Sequence, residues 1–372
     1  MSIPTDYSSV LSDTLPDDKH KAQRKMKMLR HRIKWLRMIP LSFIIFLLPP
    51  CIVGCINDEP YPDSPQGNFE ALWKIIDEHY CFFDYKQHEY GLDWLEVYNK
   101  YNVRAREGVN KQQLFEILTD MLAELRDGHV NLYSSFDNGR YWRWHEDYPT
   151  NFSDTLLRRY LGTDYRIAGT LRYRILDDNI GYVYYSSFSG SIGESNLDEV
   201  FKYLAFCNGL ILDIRGNGGG ALTNAEKLAA RFCQEKTLVG YIQHKTGKRH
   251  NEFSPMEPQY IEPSSRLRWH KGVALLTNRE VFSAANDFAK IMKCFPQVKI
   301  VGDRTGGGSG LPFTNTLPNG WTVRFSACPT YDRDKQQIEF GIAPDYAVGQ
   351  SDEDFIRGKD SIIEFARELL VE

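Results

Sequence analysis

A serine, a glycine-rich turn and a histidine are the residues of this chain whose types and spacing could do chemistry. Ser283 stands where the apolar run VALLT and a short loop lead into the amphipathic segment SAANDFAKIMK. The turn Asn217-Gly218-Gly219-Gly220 follows another apolar run, GLILDI. A serine hydroxyl becomes a useful nucleophile when a base takes its proton and donors hold the oxyanion that forms. The two segments therefore offer a nucleophile and backbone donors for covalent acyl transfer.

Each of these features also has a plainer interpretation when it is taken alone. Serine before a helix is most often an N-cap, which would give Ser283 a structural role. A glycine triplet after a strand is often only a tight turn, because glycine adopts backbone conformations that other residues avoid. If the site is catalytic, each amide that holds the oxyanion would lower the barrier by roughly 3 kcal/mol.

One of the nine histidines is the candidate base. His129 differs from the others because it follows Arg126-Asp127-Gly128 at the end of a predicted helix, where glycine lets the chain turn. A single histidine is commonly structural. The residues alone therefore leave the role of His129 open.

An α/β scaffold is predicted to position these residues. Beyond residue 166 apolar strands alternate with amphipathic helices, which favours a core built on a largely parallel sheet over 166–372. The core ends in a helix for which Asp360 is the predicted N-cap. Residues 67–135 have helical periodicity and predict a small N-terminal helical domain. The segment 136–165 is rich in Trp, Tyr and Asp without a clear period, so we expect an irregular connection there.

The first 60 residues differ from the rest of the chain. Basic residues crowd positions 19–37, and the apolar run at 38–54 is too short and too interrupted by proline for a membrane span. This is the layout of a secretory signal. Its end, Ile-Val-Gly before Cys55, resembles the lipobox of bacterial lipoproteins, in which the signal is cut before the cysteine and lipid is attached to the thiol. An uncleaved signal anchor is the alternative.

The lipobox predicts a lipid-anchored protein of the cell envelope, either periplasmic or exposed on the outer membrane. Residues 1–54 would be the signal peptide and 55–66 a polar, proline-rich tether between the lipid on Cys55 and the folded domain. The basic region is long for such a signal, so Met26 or Met28 is an alternative translation start. Contact with the membrane is expected through the lipid anchor only.

Composition excludes several classes of partner. The net charge is −4, and no basic stripe indicates a nucleic-acid partner. The seven cysteines form no C-x-x-C pair and have no metal-ligand spacing, so we expect no metal site. Cys207 and Cys233 fall in apolar patterns, where free cysteine acts as a small hydrophobic residue.

Five motifs, taken in order, resemble those of the tail-specific and tricorn-type serine peptidases, which include the carboxyl-terminal processing peptidases. They are LRDGHV, LDIRGNGGG, TNREVFSAAN, VGDRTGGGSG and FGIAPD. The resemblance covers residues 66–372 and implies an α/β fold with a ClpP/crotonase-like core. It also implies Ser283 as the nucleophile, and the amides of Ala284 and of Gly218 or Gly219 as the oxyanion hole.

The chain departs from the processing peptidases at the base. Those enzymes use a lysine in a loop that matches 302–310, but the lysine position here is Gly308. Lys290 and Lys293 are alternatives in sequence, yet both lie in the predicted helix that begins at the serine. The processing peptidases also have a PDZ domain before the core, and the ~30 residues available here are fewer than the ~50 that a domain needs.

The tricorn branch offers a different base. It uses a histidine in a motif like the one that contains His129, with a distant glutamate that polarises it. Glu339, just ahead of the GIAPD motif, is the best match for that glutamate. The tricorn peptidases have a serine before the histidine, whereas this chain has Gly128.

The resemblance therefore implies a serine endopeptidase that cleaves peptides or unfolded proteins and needs no metal or cofactor. The missing lysine and Gly128 motivate an alternative, a peptide-binding envelope lipoprotein that keeps the peptidase fold without turnover. A crotonase-type acyl-CoA enzyme would share the oxyanion hole, but the sequence has no phosphate-binding motif for its nucleotide. The oligomeric state stays open.

Overall fold

The computed structural model of the chain describes residues 61–371. The predicted signal peptide (1–54), the lipid attachment at Cys55 and the first part of the tether lie outside the described residues and stay predictions. In the described part, no helix is both long enough and apolar enough to span a membrane.

Helices and strands alternate through most of the described residues. The helices are α1 (Pro65–His79), α2 (Phe83–Tyr90), α3 (Trp94–Asn102), α4 (Lys111–Ala123), α5 (Arg143–Glu146), α6 (Asp154–Leu161), α7 (Glu194–Tyr203), α8 (Leu222–Ala229), α9 (Ala284–Met292), α10 (Asp352–Ile356) and α11 (Ser361–Leu369). The strands are β1 (Asn131–Tyr133), β2 (Asn138–Arg140), β3 (Arg166–Ala168), β4 (Leu171–Ile175), β5 (Gly181–Tyr184), β6 (Leu210–Asp213), β7 (Thr237–Ile242), β8 (Glu257–Ile261), β9 (Val273–Thr277), β10 (Val298–Gly302), β11 (Leu311–Thr316), β12 (Thr322–Cys328), β13 (Thr330–Tyr331) and β14 (Tyr346–Ala347).

A seven-stranded sheet in the order β14-β10-β9-β6-β5-β4-β3 forms the centre of the core. Strands β5, β6, β9, β10 and β14 pair in parallel, and β3 and β4 add an antiparallel edge. Every residue of β6 and β9 is buried, as expected for apolar runs covered on both faces. The predicted α/β core is confirmed.

Helices cover both faces of this sheet because successive side chains of a strand point to opposite faces. On β6, Leu210 and Leu212 pack with residues of α7, α8 and α9, whereas Ile211 packs with residues of α6 and α11. Asp360 caps α11 by accepting hydrogen bonds from the amides of Ile362 and Ile363, as predicted.

The order of the strands brings the glycine-rich turn close to the loop that leads to Ser283. Strands β6 and β9 are adjacent and parallel, with Asp213 opposite Leu276, so their carboxyl ends lie at the same edge of the sheet. The glycine-rich turn follows β6, and the loop that leads to Ser283 follows β9. Sites in open α/β sheets form at this edge.

A second, four-stranded sheet joins the N-terminal helical segment to the later strands β11 and β12. Its order is β11-β12-β1-β2, and Asn131 of β1 pairs with Arg324 of β12. Helices α1 to α4 share a hydrophobic core with this sheet, in which Leu118 and Phe325 are both buried. His129 lies between α4 and β1, so the pairing of β1 with β12 fixes its position. The predicted irregular segment 136–165 contains β2, α5 and α6.

Candidate active site

Ser283 occupies the N-terminal position of α9 with a strained backbone. Its φ is 57° and its ψ is −126°, a combination that a residue other than glycine rarely adopts. The side chain makes no capping hydrogen bond to the helix. Instead, Oγ lies 2.9 Å from Nε2 of His129. Ser283 is therefore the N-cap of α9 by position, but its hydroxyl does not cap the helix and lies against the imidazole.

His129 is held by a turn built around Asp127, whose side chain is fully buried. One carboxylate oxygen of Asp127 accepts a hydrogen bond from the His129 amide at 2.7 Å. The other accepts from the hydroxyls of Tyr80 at 2.9 Å and Ser326 at 3.0 Å. An aspartate that binds the amide two residues ahead is a common local turn signal, so the sequence motif already contained this contact.

The imidazole of His129 is buried, with 3% of the residue exposed. Burial lowers its pKa from the ordinary value, and the nearby negative charge of Asp127 opposes this change. The ring is thus neutral at neutral pH and can accept a proton at one nitrogen. Its Nδ1 atom has no hydrogen-bond partner among the described residues, and the backbone of Ser309 acts to raise the pKa of the ring.

The glycine-rich turn lies directly against the nucleophile. Gly219 has a φ of 97°, and a Cβ added there would lie 2.6 Å from the carbonyl oxygen of Phe282 and 2.9 Å from the amide nitrogen of Ala284. Asn217 connects the two loops, since its carbonyl accepts from the Phe282 amide at 3.1 Å. Only glycine fits this close approach.

The predicted oxyanion donors do not all have free amides. The Gly219 amide donates to Oδ1 of Asn217 at 3.0 Å, which removes it as a donor in this conformation. Within residues 61–371 the amides of Gly218 and Ala284 have no hydrogen-bond partner. Gly218 is exposed, with nothing within 4 Å of the place where a Cβ would be. Gly218 and Ala284 are therefore the two amides that can face a substrate.

The loop 306–310 packs against the nucleophile without a lysine. The Gly307 carbonyl accepts a hydrogen bond from the Ser283 amide at 2.9 Å. Gly308 has a φ of 75°, and a Cβ there would overlap the ring of Phe282. Neither alternative lysine replaces the missing one, because Lys290 binds Asp287 at 2.9 Å and Lys293 donates to the Ala343 carbonyl at 2.6 Å.

Glu339 is buried nearby but does not contact His129. One of its oxygens accepts from Nζ of Lys86 at 3.1 Å, and the other accepts from the amide of Ser309 at 3.0 Å. Burial and the charge of Asp127 raise the pKa of Glu339 to about 8, and Lys86 opposes them. The contact that a polarising glutamate would make with the imidazole is thus absent. Ser309 lies between the two side chains instead.

Aromatic rings fill the space beside the catalytic pair. Trp144 of α5 stacks on Phe282 with ring centroids 4.2 Å apart, and Phe282 packs on His129 with centroids 4.8 Å apart. A Cβ on Gly128 would lie 2.7 Å from Nε1 of Trp144 and 2.8 Å from the Phe282 ring. A serine before the histidine therefore has no room in this structure.

A small cavity of about 60 Å³ lies between α8, α9 and the strands β7 and β8. Leu222, Ala225, Ile291 and Leu311 contribute apolar walls, and Asp287 lines it one helical turn after the serine. No cluster of three or more His, Cys, Asp or Glu residues that could hold a metal ion occurs in the described part of the chain.

Comparison with known protein families gives matches in two regions of the chain. Residues 179–348 match peptidase family S41, and residues 61–123 match the tricorn protease C1 domain. The carboxy-terminal processing protease CtpA of Bacillus subtilis is 24% identical over 177 residues, which are 47% of this chain and 36% of that protein. Tricorn protease of Thermoplasma acidophilum is 27% identical over 198 residues, which are 52% of this chain and 17% of that protein. The chain thus spans about a third or less of the length of these curated relatives.

Solved structures give similarity over a greater length. A candidate peptidase from Parabacteroides merdae is 54% identical with a TM-score of 0.80, covering 83% of this chain and 97% of that chain. Mature CPAF in complex with lactacystin has a TM-score of 0.63 at 12% identity, covering 82% of this chain and 97% of that chain. At 12% identity, the similarity to CPAF concerns the fold alone. Between the two matched regions, residues 124–178 contain β1 to β4, α5 and α6, and no separate PDZ domain.

Proposed function

The chain belongs to peptidase family S41, and from this premise we propose that it is a serine endopeptidase with Ser283 as nucleophile and His129 as base. The observation that carries the proposal is the distance of 2.9 Å between Nε2 of His129 and Oγ of Ser283. A general base must lie within hydrogen-bond reach of the proton that it removes. The strained backbone of Ser283 supports the same assignment, because strain of this kind is concentrated at functional sites.

Catalysis would proceed through an acyl-enzyme. Ser283 Oγ attacks the carbonyl carbon of the scissile peptide while His129 takes the hydroxyl proton. The tetrahedral intermediate collapses, the C–N bond breaks, and the imidazolium gives its proton to the leaving amine. Water then attacks the ester, with His129 again as base, and the hydroxyl of Ser283 is restored.

Two amides would stabilise the oxyanion. They are the free amides of Gly218, on the glycine-rich turn, and of Ala284, in the first turn of α9. The positive end of the α9 dipole favours negative charge at the same point. The carboxylate of Asp127 stabilises the imidazolium, since its charge acts to raise the pKa of His129.

The substrate would be an extended peptide or an unfolded protein segment of the cell envelope. The cavity between α8 and α9, with Leu222, Ala225 and Ile291 in its walls, would suit a small aliphatic side chain of the peptide. The envelope location rests on the lipobox at Cys55, and the curated relatives named as carboxy-terminal processing proteases support a protein substrate.

Labelling by a fluorophosphonate probe tests the proposal. We expect the purified chain to be labelled, and the Ser283→Ala variant to lose labelling completely. Ser187→Ala is a matched control, because this serine lies beside the glycine-rich turn, where its hydroxyl donates to the Gly219 carbonyl at 3.4 Å. Equal labelling of wild type and Ser283→Ala would refute the assignment. A folded wild type that is not labelled would favour the alternative, a peptide-binding protein without turnover.

A further inference from the structure

Lys86 is a fully buried lysine on α2, outside the motifs that indicated the active site. Its ammonium donates to the carboxylate of Glu339 and to the carbonyl of Arg126, each at 3.1 Å. Lysine is almost never fully buried unless it is paired, because its charge loses the stabilisation of water. Lys86 therefore bridges two buried groups, the backbone of the turn that precedes His129 and the carboxylate of Glu339.

We propose that Lys86 is a positioning residue of the active site, which holds the turn before His129 and the carboxylate of Glu339 in register with the catalytic pair. This inference rests on the proposed peptidase function. The role is one of placement, because Lys86 touches neither Ser283 nor His129.

The first contact of Lys86 acts on the turn that presents the base. Arg126 has a φ of 46°, which is unfavourable for a residue other than glycine. Its carbonyl accepts a hydrogen bond from the ammonium of Lys86. The side chain of the next residue, Asp127, accepts a hydrogen bond from the His129 amide. Lys86 therefore stabilises the strained backbone from which the imidazole projects.

The second contact of Lys86 leads through Glu339 to the backbone of Ser309. Lys86 binds one oxygen of Glu339, and the other oxygen accepts the Ser309 amide at 3.0 Å. The backbone of Ser309 in turn acts on the imidazole of His129, whose pKa it raises. Lys86 is thus connected through Glu339 to the backbone segment that interacts with the base.

The charge of Lys86 also affects the ionisation of Glu339, because a nearby cation lowers the pKa of a carboxyl. Glu339 and Asp127 are two buried carboxylates, and burial together with Asp127 raises the pKa of Glu339 to about 8, whereas Lys86 lowers it. The other titratable groups whose charge interacts with Glu339 are Tyr80, Cys81, Tyr85 and Tyr90. Loss of the cation disfavours the ionised carboxylate, so the pKa of Glu339 must rise further.

The test measures the rate of fluorophosphonate labelling against pH in the full chain. Burial raises the pKa of Glu339 to about 8, so for wild type we expect the labelling rate to rise with pH in that range, as the carboxylate that accepts from Lys86 and from the Ser309 amide becomes ionised. Lys86→Met is expected to label on the order of 10-fold to 100-fold more slowly at neutral pH, which is less than the 10²-fold to 10⁴-fold contribution of a general base because His129 is retained. Its rise in rate should lie at higher pH than in wild type. Lys86→Arg restores the charge and should return both the rate and the pH profile toward wild type.

Two further variants keep the inference falsifiable if Lys86→Met does not fold. Glu339→Gln cannot ionise, so the rise near pH 8 should disappear and leave the titration of His129, whose pKa is lowered from its ordinary value. Arg231→Met is the matched control, since Arg231 is an equally buried cation paired with Glu194 and Asp198. It should leave the pH profile unchanged.

Three results would count against the inference. A folded Lys86→Met that labels with the rate and pH profile of wild type would overturn it, as would a rise near pH 8 that persists in Glu339→Gln. A shift of the profile in Arg231→Met would show that any buried cation has this effect. Failure of the wild type to react at all would instead overturn the proposed peptidase function, which is a separate result.

Discussion

Substitution of Gly219 by alanine tests whether the glycine-rich turn lies against the nucleophile as the structure has it. A Cβ at this residue would lie 2.6 Å from the carbonyl oxygen of Phe282, 2.8 Å from Cβ of Ser283 and 2.9 Å from the amide nitrogen of Ala284. Two of these atoms belong to the backbone and cannot rotate away. The nucleophile or the turn must therefore move by some tenths of an ångström.

The magnitude follows from two separate costs. A positive φ, here 97°, costs an alanine about 1–2 kcal/mol that glycine does not incur. Displacement of the turn also withdraws the Gly218 amide from the oxyanion, and loss of one such donor costs about 10²-fold to 10³-fold in kcat. We therefore expect Gly219→Ala to be about 1–2 kcal/mol less stable and at least ~100-fold slower, or about 2.7 kcal/mol of transition-state stabilisation.

Gly349→Ala is the matched control on a glycine outside the site. An added Cβ there would come no closer than 3.6 Å to the side chain of Asn151, so the variant should retain activity within about twofold of wild type. The assay compares fluorophosphonate labelling rates, and urea denaturation gives the free energy of unfolding. Equal rates for Gly219→Ala and wild type would refute the placement of the turn, and an equal loss in both variants would refute the distinction between the two glycines.

Two other substitutions test the packing around the site and the anchoring of the core. Gly308→Lys restores the lysine of the processing peptidases. We expect it to lower the free energy of unfolding by about 1–3 kcal/mol and to give no gain in labelling rate, because φ is positive there and the side chain would overlap Phe282. A faster labelling rate in this variant would contradict the prediction. Asp360→Ala should lower the free energy of unfolding by about 3–5 kcal/mol, because it leaves Arg215 with one fewer buried partner and removes the α11 cap. Asp178→Ala, which breaks a partly exposed pair with Arg367, should cost less than about 1 kcal/mol in the same urea titration, and equal losses would contradict the role of burial.

The core was predictable because its strands are continuous apolar runs. GLILDI and VALLT became β6 and β9, and the residues after each strand supplied the glycine-rich turn and Ser283. The partnership of Ser283 with His129 was not visible in periodicity, since it depends on the pairing of β1 with β12. Only the ordered motifs indicated it.

Details of side-chain packing could not be predicted in this way. Lys86 lies in FDYKQHEY, a segment without a strong apolar face, and lysine is ordinarily exposed, so nothing local indicated its burial. The capture of the Gly219 amide by Asn217 depends on the orientation of one carboxamide. The apparent match of Glu339 to a polarising glutamate holds in sequence, but Ser309 separates it from the imidazole.

The stack of Trp144 on Phe282 adjoins both positions at which the chain departs from the related peptidases. The ring of Phe282 occupies the space that a side chain at Gly308 would need, and Trp144 occupies the space that a serine at Gly128 would need. Because Phe282 also packs on His129 with ring centroids 4.8 Å apart, the stack supports the imidazole from the side. Trp144 and Phe282 therefore form an aromatic wall that leaves no room for a side chain at Gly308 or at Gly128. A single exchange at either glycine cannot restore the other mechanism while that wall remains.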